Sequence, residues 1–252
     1  MLKTRIIPTL LFKETGLVKD RQFASIRPIG GALQAIKVYG LREVDELVFL
    51  DVSATRAGKL PDFALIDELA DECFMPFTVG GGIRDPGDIR RLLMVGADKV
   101  VLNTAVLDTP DLVRECARQF GSQCIVISID VRREPDGRLE VYACSGTVAT
   151  GRNPVAWARQ VEALGAGEIL LTSIDRDGMM NGYDIPLVKA VADAVSIPVV
   201  ASGGAGEYAD IADLLHNTSA AAAAASSIFH FTEQTPREAK RFLRERGILV
   251  RL

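Results

Sequence analysis

Short apolar runs alternate with segments of helical periodicity along the whole chain. Eight runs rich in aliphatic side chains predict buried strands, at residues 5–11, 46–52, 76–80, 99–103, 124–130, 168–174, 198–202 and 222–227. Apolar positions at helical spacing predict helices between them, as at residues 61–72, 85–95, 112–120, 154–164, 185–194 and 236–245. Apolar strands that alternate with helices are typical of a parallel sheet covered on both faces. We therefore expect one α/β domain over residues 1–252, a (β/α)8 TIM barrel, which needs about 250 residues.

An internal repeat supports this count. Residues 45–55, DELVFLDVSAT, align with residues 167–177, GEILLTSIDRD, and MPFTVGGGI aligns with IPVVASGGA at the same offset. The repeat also aligns Thr104 with Ser227 and Leu11 with Asp130. It places the eighth strand in an alanine-rich segment whose propensity alone favours a helix. We expect two half-barrels, at about residues 1–121 and 122–252.

Composition and net charge exclude several classes of partner and binding site. The net charge is −4, and no basic stripe follows any predicted element, so nucleic acid is not an expected partner. Two histidines, and four cysteines without a Cys-x-x-Cys pair, predict neither a metal site nor another cofactor. No apolar run reaches the roughly 18 residues of a membrane span, and the N-terminus does not resemble a signal peptide. We expect a cytoplasmic protein without membrane contact.

Two glycine-rich loops follow the third and seventh predicted strands, VGGGIRD and ASGGAGE. Glycines let backbone amides approach an anion closely, and functional groups of a barrel lie in the loops after the strands. Hydroxyl or amide side chains follow the next strand in each half, Asn103-Thr104 and Ser226-Ser227. Each loop alone is also compatible with a tight turn. Together they predict a ligand with a phosphate at each end.

The chain closely resembles the cyclase subunit of imidazole glycerol phosphate synthase over nearly its whole length. The matching segments are DELVFLDVSAT, PFTVGGGI, GADKVVLNTA, FGSQCIVISIDV, GAGEILLTSIDRDG, GYD, ASGGAG and SIFHF. The resemblance implies a barrel docked by its N-terminal face to a glutaminase subunit as a heterodimer. Ammonia would pass through the barrel to a ribulosyl-aminoimidazole-carboxamide substrate.

The resemblance also implies site residues. Phosphate and substrate ligands would be Gly82, Asn103, Thr104, Thr172, Asp177, Gly178, Ser202, Gly203, Gly204, Ser227 and the loop residue Lys19. An ammonia gate at the lower entrance would consist of Arg5, Glu46, Lys99 and Glu168, although the same charges could form a plain ion-pair plug. Asp98 would contact the glutaminase. Asp130 would be one of two catalytic aspartates.

The second catalytic aspartate is missing. The family's Pro-Cys-Leu-Asp-Val reads Pro8-Thr9-Leu10-Leu11-Phe12 here, so Leu11 occupies the place of the acid. Leucine cannot exchange a proton, and loss of such a group typically lowers a rate by about 10²–10⁴-fold. Cyclase activity is therefore in doubt.

Three functions stay open. A divergent branch of the family, which supplies ammonia to a separate amidotransferase acting on bacterial surface sugars, is similar in IPTLLFKETGLVKD and CFMPFTVGGGI. This resemblance favours a barrel that receives or conducts ammonia and that serves a third, sugar-modifying partner. The second function is a working cyclase, a lyase of histidine biosynthesis. The third is a non-catalytic barrel that only activates a glutaminase.

Overall fold

The computed structural model describes residues 3–24 and 27–251. Its strands are Arg5–Lys13 (β1), Gly16–Lys19 (β2), Arg27–Gly30 (β3), Leu47–Asp51 (β4), Phe77–Gly80 (β5), Lys99–Leu102 (β6), Ile125–Arg133 (β7), Leu139–Ala143 (β8), Val148–Ala149 (β9), Glu168–Ser173 (β10), Val199–Ser202 (β11) and Ala222–Ala225 (β12). Its α-helices are Ala32–Leu41 (α1), Phe63–Ala70 (α2), Pro86–Met94 (α3), Thr104–Asp108 (α4), Asp111–Phe120 (α5), Pro154–Leu164 (α6), Ile185–Ala192 (α7), Tyr208–Asn217 (α8), Ser227–Phe231 (α9) and Pro236–Glu245 (α10). A 3-10 turn spans Ser122–Cys124.

Eight parallel strands close into a barrel. The order β1-β4-β5-β6-β7-β10-β11-β12 returns to β1 through the pairing of β12 with β1. Helices separate successive barrel strands along the chain and cover the outside. The predicted TIM barrel is confirmed.

The predicted strands differ from the observed ones mainly at their ends. The eighth strand stops at Ala225 rather than at residue 227, because Ser227 already begins α9. The first and fifth predicted strands extend to Lys13 and Arg133, because each continues into an antiparallel hairpin with β2 or β8. These two hairpins, with β3 and β9, are additions that apolar periodicity did not predict.

Helix starts follow local capping signals. Asp85, Asn153 and Thr235 each accept backbone N–H bonds from the first turn of a helix, and a proline occupies the next position. Such a proline has no N–H to leave unpaired, and its φ angle suits the first helical turn. The caps set where α3, α6 and α10 begin, and so how far each loop extends over the barrel mouth. Within the described part of the chain, no helix is both long and apolar enough to cross a membrane.

The two sides of each barrel strand face different cores. Alternate residues point outward to the helices, where the large cluster includes Trp157 and Phe49. The inward residues form a separate apolar cluster of small and medium side chains, namely Ile7, Val48, Val101, Val126, Leu170, Val200, Ala222 and Ala224. This inner cluster fills the bore between the two ends of the barrel.

The loop after β11 packs closely against the loop that precedes α7. Gly204 has a φ of +114°, and a Cβ there would lie 2.1 Å from the carbonyl oxygen of Gly182. The amide of Gly182 in turn donates to the carbonyl of Gly204 at 2.9 Å. Packing alone thus requires a glycine here, so its presence is not by itself a sign of anion binding.

Gly204→Ala should therefore destabilise the fold strongly. Alanine at positive φ costs about 1 kcal/mol, and the backbone clash adds roughly 1–3 kcal/mol. The control is Gly137→Ala, with φ +87° and no atom within 4 Å of the new Cβ. Urea unfolding compares the two variants. Equal losses of unfolding free energy would contradict the close packing.

Candidate functional site

A cavity of about 620 Å³ opens at the carboxyl ends of the barrel strands. Every residue predicted for substrate or phosphate binding or catalysis lines it: Lys19, Gly82, Asn103, Thr104, Asp130, Thr172, Asp177, Gly178, Ser202, Gly203, Gly204 and Ser227. These residues come from loops and strand ends around the whole barrel. The fold brings them into one compartment.

One end of the cavity, which we call the basic end, is formed by the loops after β4, β5 and β6. Gly82 and Thr104 lie there with the guanidinium-bearing residues Arg56 and Arg84. Both arginines are exposed, and neither forms a salt bridge among the described residues. Neither arginine was predicted, because lone arginines in loops carry no periodic signal. Phosphate oxygens are natural partners of such side chains.

The opposite end, which we call the acidic end, is formed by the loops after β10, β11 and β12. Among the described residues, the buried hydroxyl oxygen of Ser226 has no hydrogen-bond partner, and Ser227 is also buried. The backbone amide of Asp177 is already donated within its own turn. An anion at this end would therefore be bound by the serine hydroxyls and glycine amides rather than by the Asp177 amide.

Asp130 projects from β7 onto the cavity floor. Its carboxylate accepts from Asn103 Nδ2 at 3.1 Å and from Ser128 Oγ at 3.0 Å. Burial raises the pKa of Asp130 to about 7, and the nearby charge of Asp177 adds to this, while hydrogen bonds from Ser128 and Thr172 oppose it. A carboxyl that titrates near neutral pH can both accept and donate protons.

Leu11 also lines the cavity and is 8% exposed. It lies on β1 opposite Leu50 of β4 and Val18 of β2. Nearby Thr9 also lines the cavity, and its buried hydroxyl has no hydrogen-bond partner in the part of the chain that the structure describes. This side of the floor thus presents an apolar group and a neutral hydroxyl where a carboxylate was expected.

Besides Asp130 and Asp177, the cavity is lined by acidic residues that were not among the predicted site residues, namely Asp20, Asp51, Asp108, Asp111 and Glu115. Asp20 follows β2, and its carboxyl lies close enough to that of Asp177 for the two to interact. Burial raises the pKa of Asp20 to about 7, with a further contribution from Asp177 that Lys19 partly offsets. Lys19 Nζ lies 3.4 Å from Asp177 Oδ1. The hairpin that returns β2 along β1 brings Asp20 here, and that hairpin was not predicted.

The four predicted gate residues form a closed ring at the other end of the bore. Lys99 Nζ bonds Glu46 Oε1 at 2.9 Å and Glu168 Oε2 at 2.8 Å. Arg5 bonds Glu46 at 2.6 Å and also pairs with Glu168. Burial opposes ionisation of Glu168, but the two cations outweigh it and hold its pKa below the ordinary 4.5.

The ring closes the floor without leaving a charge unpaired. The hydroxyl of Thr78 donates to Glu46 at 2.8 Å, which satisfies a further lone pair. Asp98 lies on the same end of the barrel, is exposed, and accepts from the amide of Phe77 at 2.7 Å. Above the ring lies the inner apolar cluster, and above that the cavity.

Removing one cation should leave buried carboxylate charge in the ring uncompensated and so lower the unfolding free energy. Lys99→Met leaves two nearly buried glutamates with only Arg5, and we expect a loss of about 2–4 kcal/mol in unfolding free energy. The control Lys189→Met breaks an exposed pair with Asp193 and should cost less than about 0.5 kcal/mol. Urea unfolding at neutral pH measures both. Similar small losses would show that the ring contributes little.

The pKa of Asp130 predicts a pH-dependent stability. The carboxyl titrates near 3.8 when unfolded and near 7 when folded, so the folded chain holds the extra proton between these values. Stability should therefore fall as the pH rises through that window. Asp130→Asn should raise the unfolding free energy by about 1–2 kcal/mol at pH 8 and by about 0 at pH 4. Urea unfolding at both pH values tests this, and an equal effect would contradict the raised pKa.

One family model matches this chain. It is described as histidine biosynthesis protein, and the match covers residues 5–235. The matched segment includes all eight barrel strands, the ring and every predicted cavity residue. The chain belongs to the histidine biosynthesis protein family.

Proposed function

We propose that this barrel receives ammonia from a glutaminase docked on its N-terminal face and holds a bis-phosphorylated ligand in the cavity at its other face. The observation that carries the proposal is the vertical order of three layers: a charged ring, an apolar bore and a polar cavity. Family membership supports a function of the histidine-biosynthesis type. The resemblance to the cyclase subunit supports the finer assignment.

The two ends of the cavity support a ligand with two phosphates. Arg56 and Arg84 can pair with one phosphate, and the hydroxyls of Ser226 and Ser227 can donate to the other. The residues assigned by resemblance, from Gly82 and Thr104 to Gly204 and Ser227, lie between and around these groups. A volume of about 620 Å³ is within the range of small-molecule sites.

The N-terminal face supports a docked partner. Leu41, Phe74 and Met94 are 83%, 89% and 79% exposed, and each lies in a segment leading into the start of a barrel strand, so they share the face that bears the ring. Large exposed apolar groups on one face are typical of protein interfaces. Asp98 provides a charged contact beside them. A glutaminase seated there would release ammonia onto the ring.

The bore suits a small neutral molecule. Its lining is aliphatic, and β12 contributes only alanine side chains to it. Ammonium would lose its hydration shell in such a path, whereas ammonia carries no charge to desolvate. Passage requires a transient opening of the ring. Lys99 is the more easily displaced cation, because its side chain is shorter than that of Arg5 and contacts both glutamates through a single ammonium group. The ring would then be both a plug at rest and a gate.

Leu11 determines what the barrel does with the ammonia. With one acid replaced by an apolar side chain, the preferred function is delivery of ammonia to a separate amidotransferase, as in the branch that modifies surface sugars. The second candidate is a working cyclase of histidine biosynthesis that uses another acid. The position of Asp20 in the cavity wall favours that candidate. The third candidate, a non-catalytic activator of a glutaminase, is not favoured, because it would need neither the bore nor the cavity.

Binding and turnover of the ribulosyl-aminoimidazole-carboxamide substrate test the proposal. At about 100 times its dissociation constant the substrate should stabilise the fold by about 2.7 kcal/mol and raise Tm by roughly 5–10 °C. Arg84→Met and Ser227→Ala should each weaken binding by about tenfold or more, since each removes a phosphate partner. The control Arg90→Met lies on α3 outside the cavity. An unchanged Tm with millimolar substrate would count against the proposal.

Turnover with ammonium salt, measured from neutral to alkaline pH, separates the two candidates. Product at about 1 s⁻¹ or faster would show a working cyclase. Bound substrate without turnover would favour delivery of ammonia to another enzyme.

Blocking the bore tests conduction in the complex with the glutaminase. Ala224→Leu adds bulk toward the bore, whereas Ala223→Leu adds the same bulk toward the helices. The first variant should lower glutamine-dependent product formation at least about tenfold, equivalent to about 1.4 kcal/mol. Glutamine hydrolysis should persist, and so should product formation from added ammonium, which enters by the open mouth. Unimpaired glutamine-dependent synthesis in Ala224→Leu would exclude passage through the bore.

A further inference from the structure

Two buried carboxyl oxygens in the cavity have no hydrogen-bond donor among the described residues. They are Oδ1 of Asp20 and Oδ2 of Asp177, in side chains that belong to residues 7% and 8% exposed. Two buried carboxylates this close repel each other unless a proton lies between them. A single proton held by the pair leaves one negative charge and removes that repulsion. Lys19, 3.4 Å from Asp177, balances that charge.

The backbone holds the pair in place. The amide of Gln22 donates to the carbonyl of Asp177 at 2.9 Å, and Gln22 Nε2 donates to the carbonyl of Asp175 at 2.9 Å. Gly178 has a φ of +71°, and a Cβ there would lie 2.2 Å from the carbonyl oxygen of Asp20. The segment after β2 is thus anchored on the loop after β10.

The strand register explains why Asp20 lies on the side of the missing acid. In the β1–β2 hairpin, Leu11 is opposite Val18 and Phe12 is opposite Leu17. The chain therefore runs back along β1 past Leu11, and Asp20 follows two residues after Val18. Both Leu11 and Asp20 line the cavity. The hairpin thus places the Asp20 carboxyl in the part of the mouth where β1 itself has no carboxyl.

We propose that Asp20, sharing its proton with Asp177, is the second proton-transferring carboxyl of the cavity and takes the role that Leu11 cannot perform. This inference rests on the proposed function, in its form of a working cyclase. The proton passes from the Asp20–Asp177 pair to an oxygen or nitrogen of the bound ligand. The pair then carries two negative charges, which Lys19 partly neutralises, and it regains the proton from the ligand or from water.

Two carboxyls with different partners can divide acid and base work. Asp130 has the amide of Asn103 and the hydroxyl of Ser128 as donors, which favour its ionised form and suit a base. Asp20 faces Asp177, which favours its protonated form, and Lys19, which opposes it. His230 also lies near Lys19, but burial lowers its pKa to about 4, so it is neutral. We expect a bell-shaped pH–rate profile centred near 7, with Asp20 setting the alkaline limb.

Asp20→Asn tests the assignment, with Glu14→Gln as the control. Glu14 is an exposed carboxylate in the same hairpin and lies outside the cavity lining. With the ribulosyl substrate and ammonium salt, Asp20→Asn should lower kcat by about 10²-fold or more. Substrate affinity, measured by calorimetry, should change less than about threefold, and the alkaline limb near pH 7 should disappear. Glu14→Gln should match the wild type in all three.

A rescue variant distinguishes loss of the carboxyl from loss of structure as the cause of a lower kcat in Asp20→Asn. Leu11→Asp in the Asp20→Asn background restores a carboxyl on the neighbouring strand and should recover about tenfold or more of the lost rate. Circular dichroism and Tm confirm folding, and Asp20→Ser provides a second variant without the carboxyl.

Each contrary outcome points to a different failure. If the wild type turns over the substrate and Asp20→Asn does so equally, the assignment of Asp20 is wrong while the proposed function stands. If the wild type binds the substrate but forms no product, Asp20 does not replace the missing acid, and ammonia delivery remains. If the substrate does not bind, the proposed function itself fails.

Discussion

The ion-pair ring at the barrel floor is the interaction on which the arrangement of the interior depends. Arg5, Glu46, Lys99 and Glu168 come from four different strands, and each cation contacts both acids. A barrel strand that slipped by one residue would turn its charged side chain outward into the apolar layer under the helices. The ring therefore acts on register as well as on stability. The same register determines which residues face the apolar bore and the cavity above it, because inward residues alternate along each strand.

Much of the site was predictable because it lies on the repeating part of the fold. A barrel places the loop after every strand at one face, so residues such as Gly82 and Ser227 could be grouped before any geometry was known. The ring was predicted from the resemblance to the cyclase subunit, which implied a gate of Arg5, Glu46, Lys99 and Glu168. Strand order and alternation by themselves indicated only that a charge such as Lys99, at the start of an apolar strand, needs a partner inside the barrel.

The missed residues lie where chain direction changes. Asp20 follows a hairpin whose turn, Glu14 with φ +58°, is not marked by glycine, so its return along β1 was not recognised. Arg56 and Arg84 lie in irregular loops, where periodicity gives no orientation. Gly204 has a packing explanation that the sequence did not reveal, namely the nearby carbonyl of Gly182, and its role in anion binding stays a prediction. The division of the chain into half-barrels remains a proposal, supported by the similar hairpins on β1 and β7.

The unlike side chains at the two ends of the cavity have a consequence for directionality. A mouth built from two similar halves would accept an elongated dianion in either of two opposed poses, with comparable occupancy. Arg56 and Arg84 at one end, and the neutral hydroxyls of Ser226 and Ser227 at the other, would remove that degeneracy, because the more highly charged terminus gains more beside the arginines than beside the serines. A difference of only about 1.4 kcal/mol between the poses gives a tenfold preference. The departure from internal symmetry would thus align a bis-phosphorylated ligand in one direction, with the same atom facing Asp130.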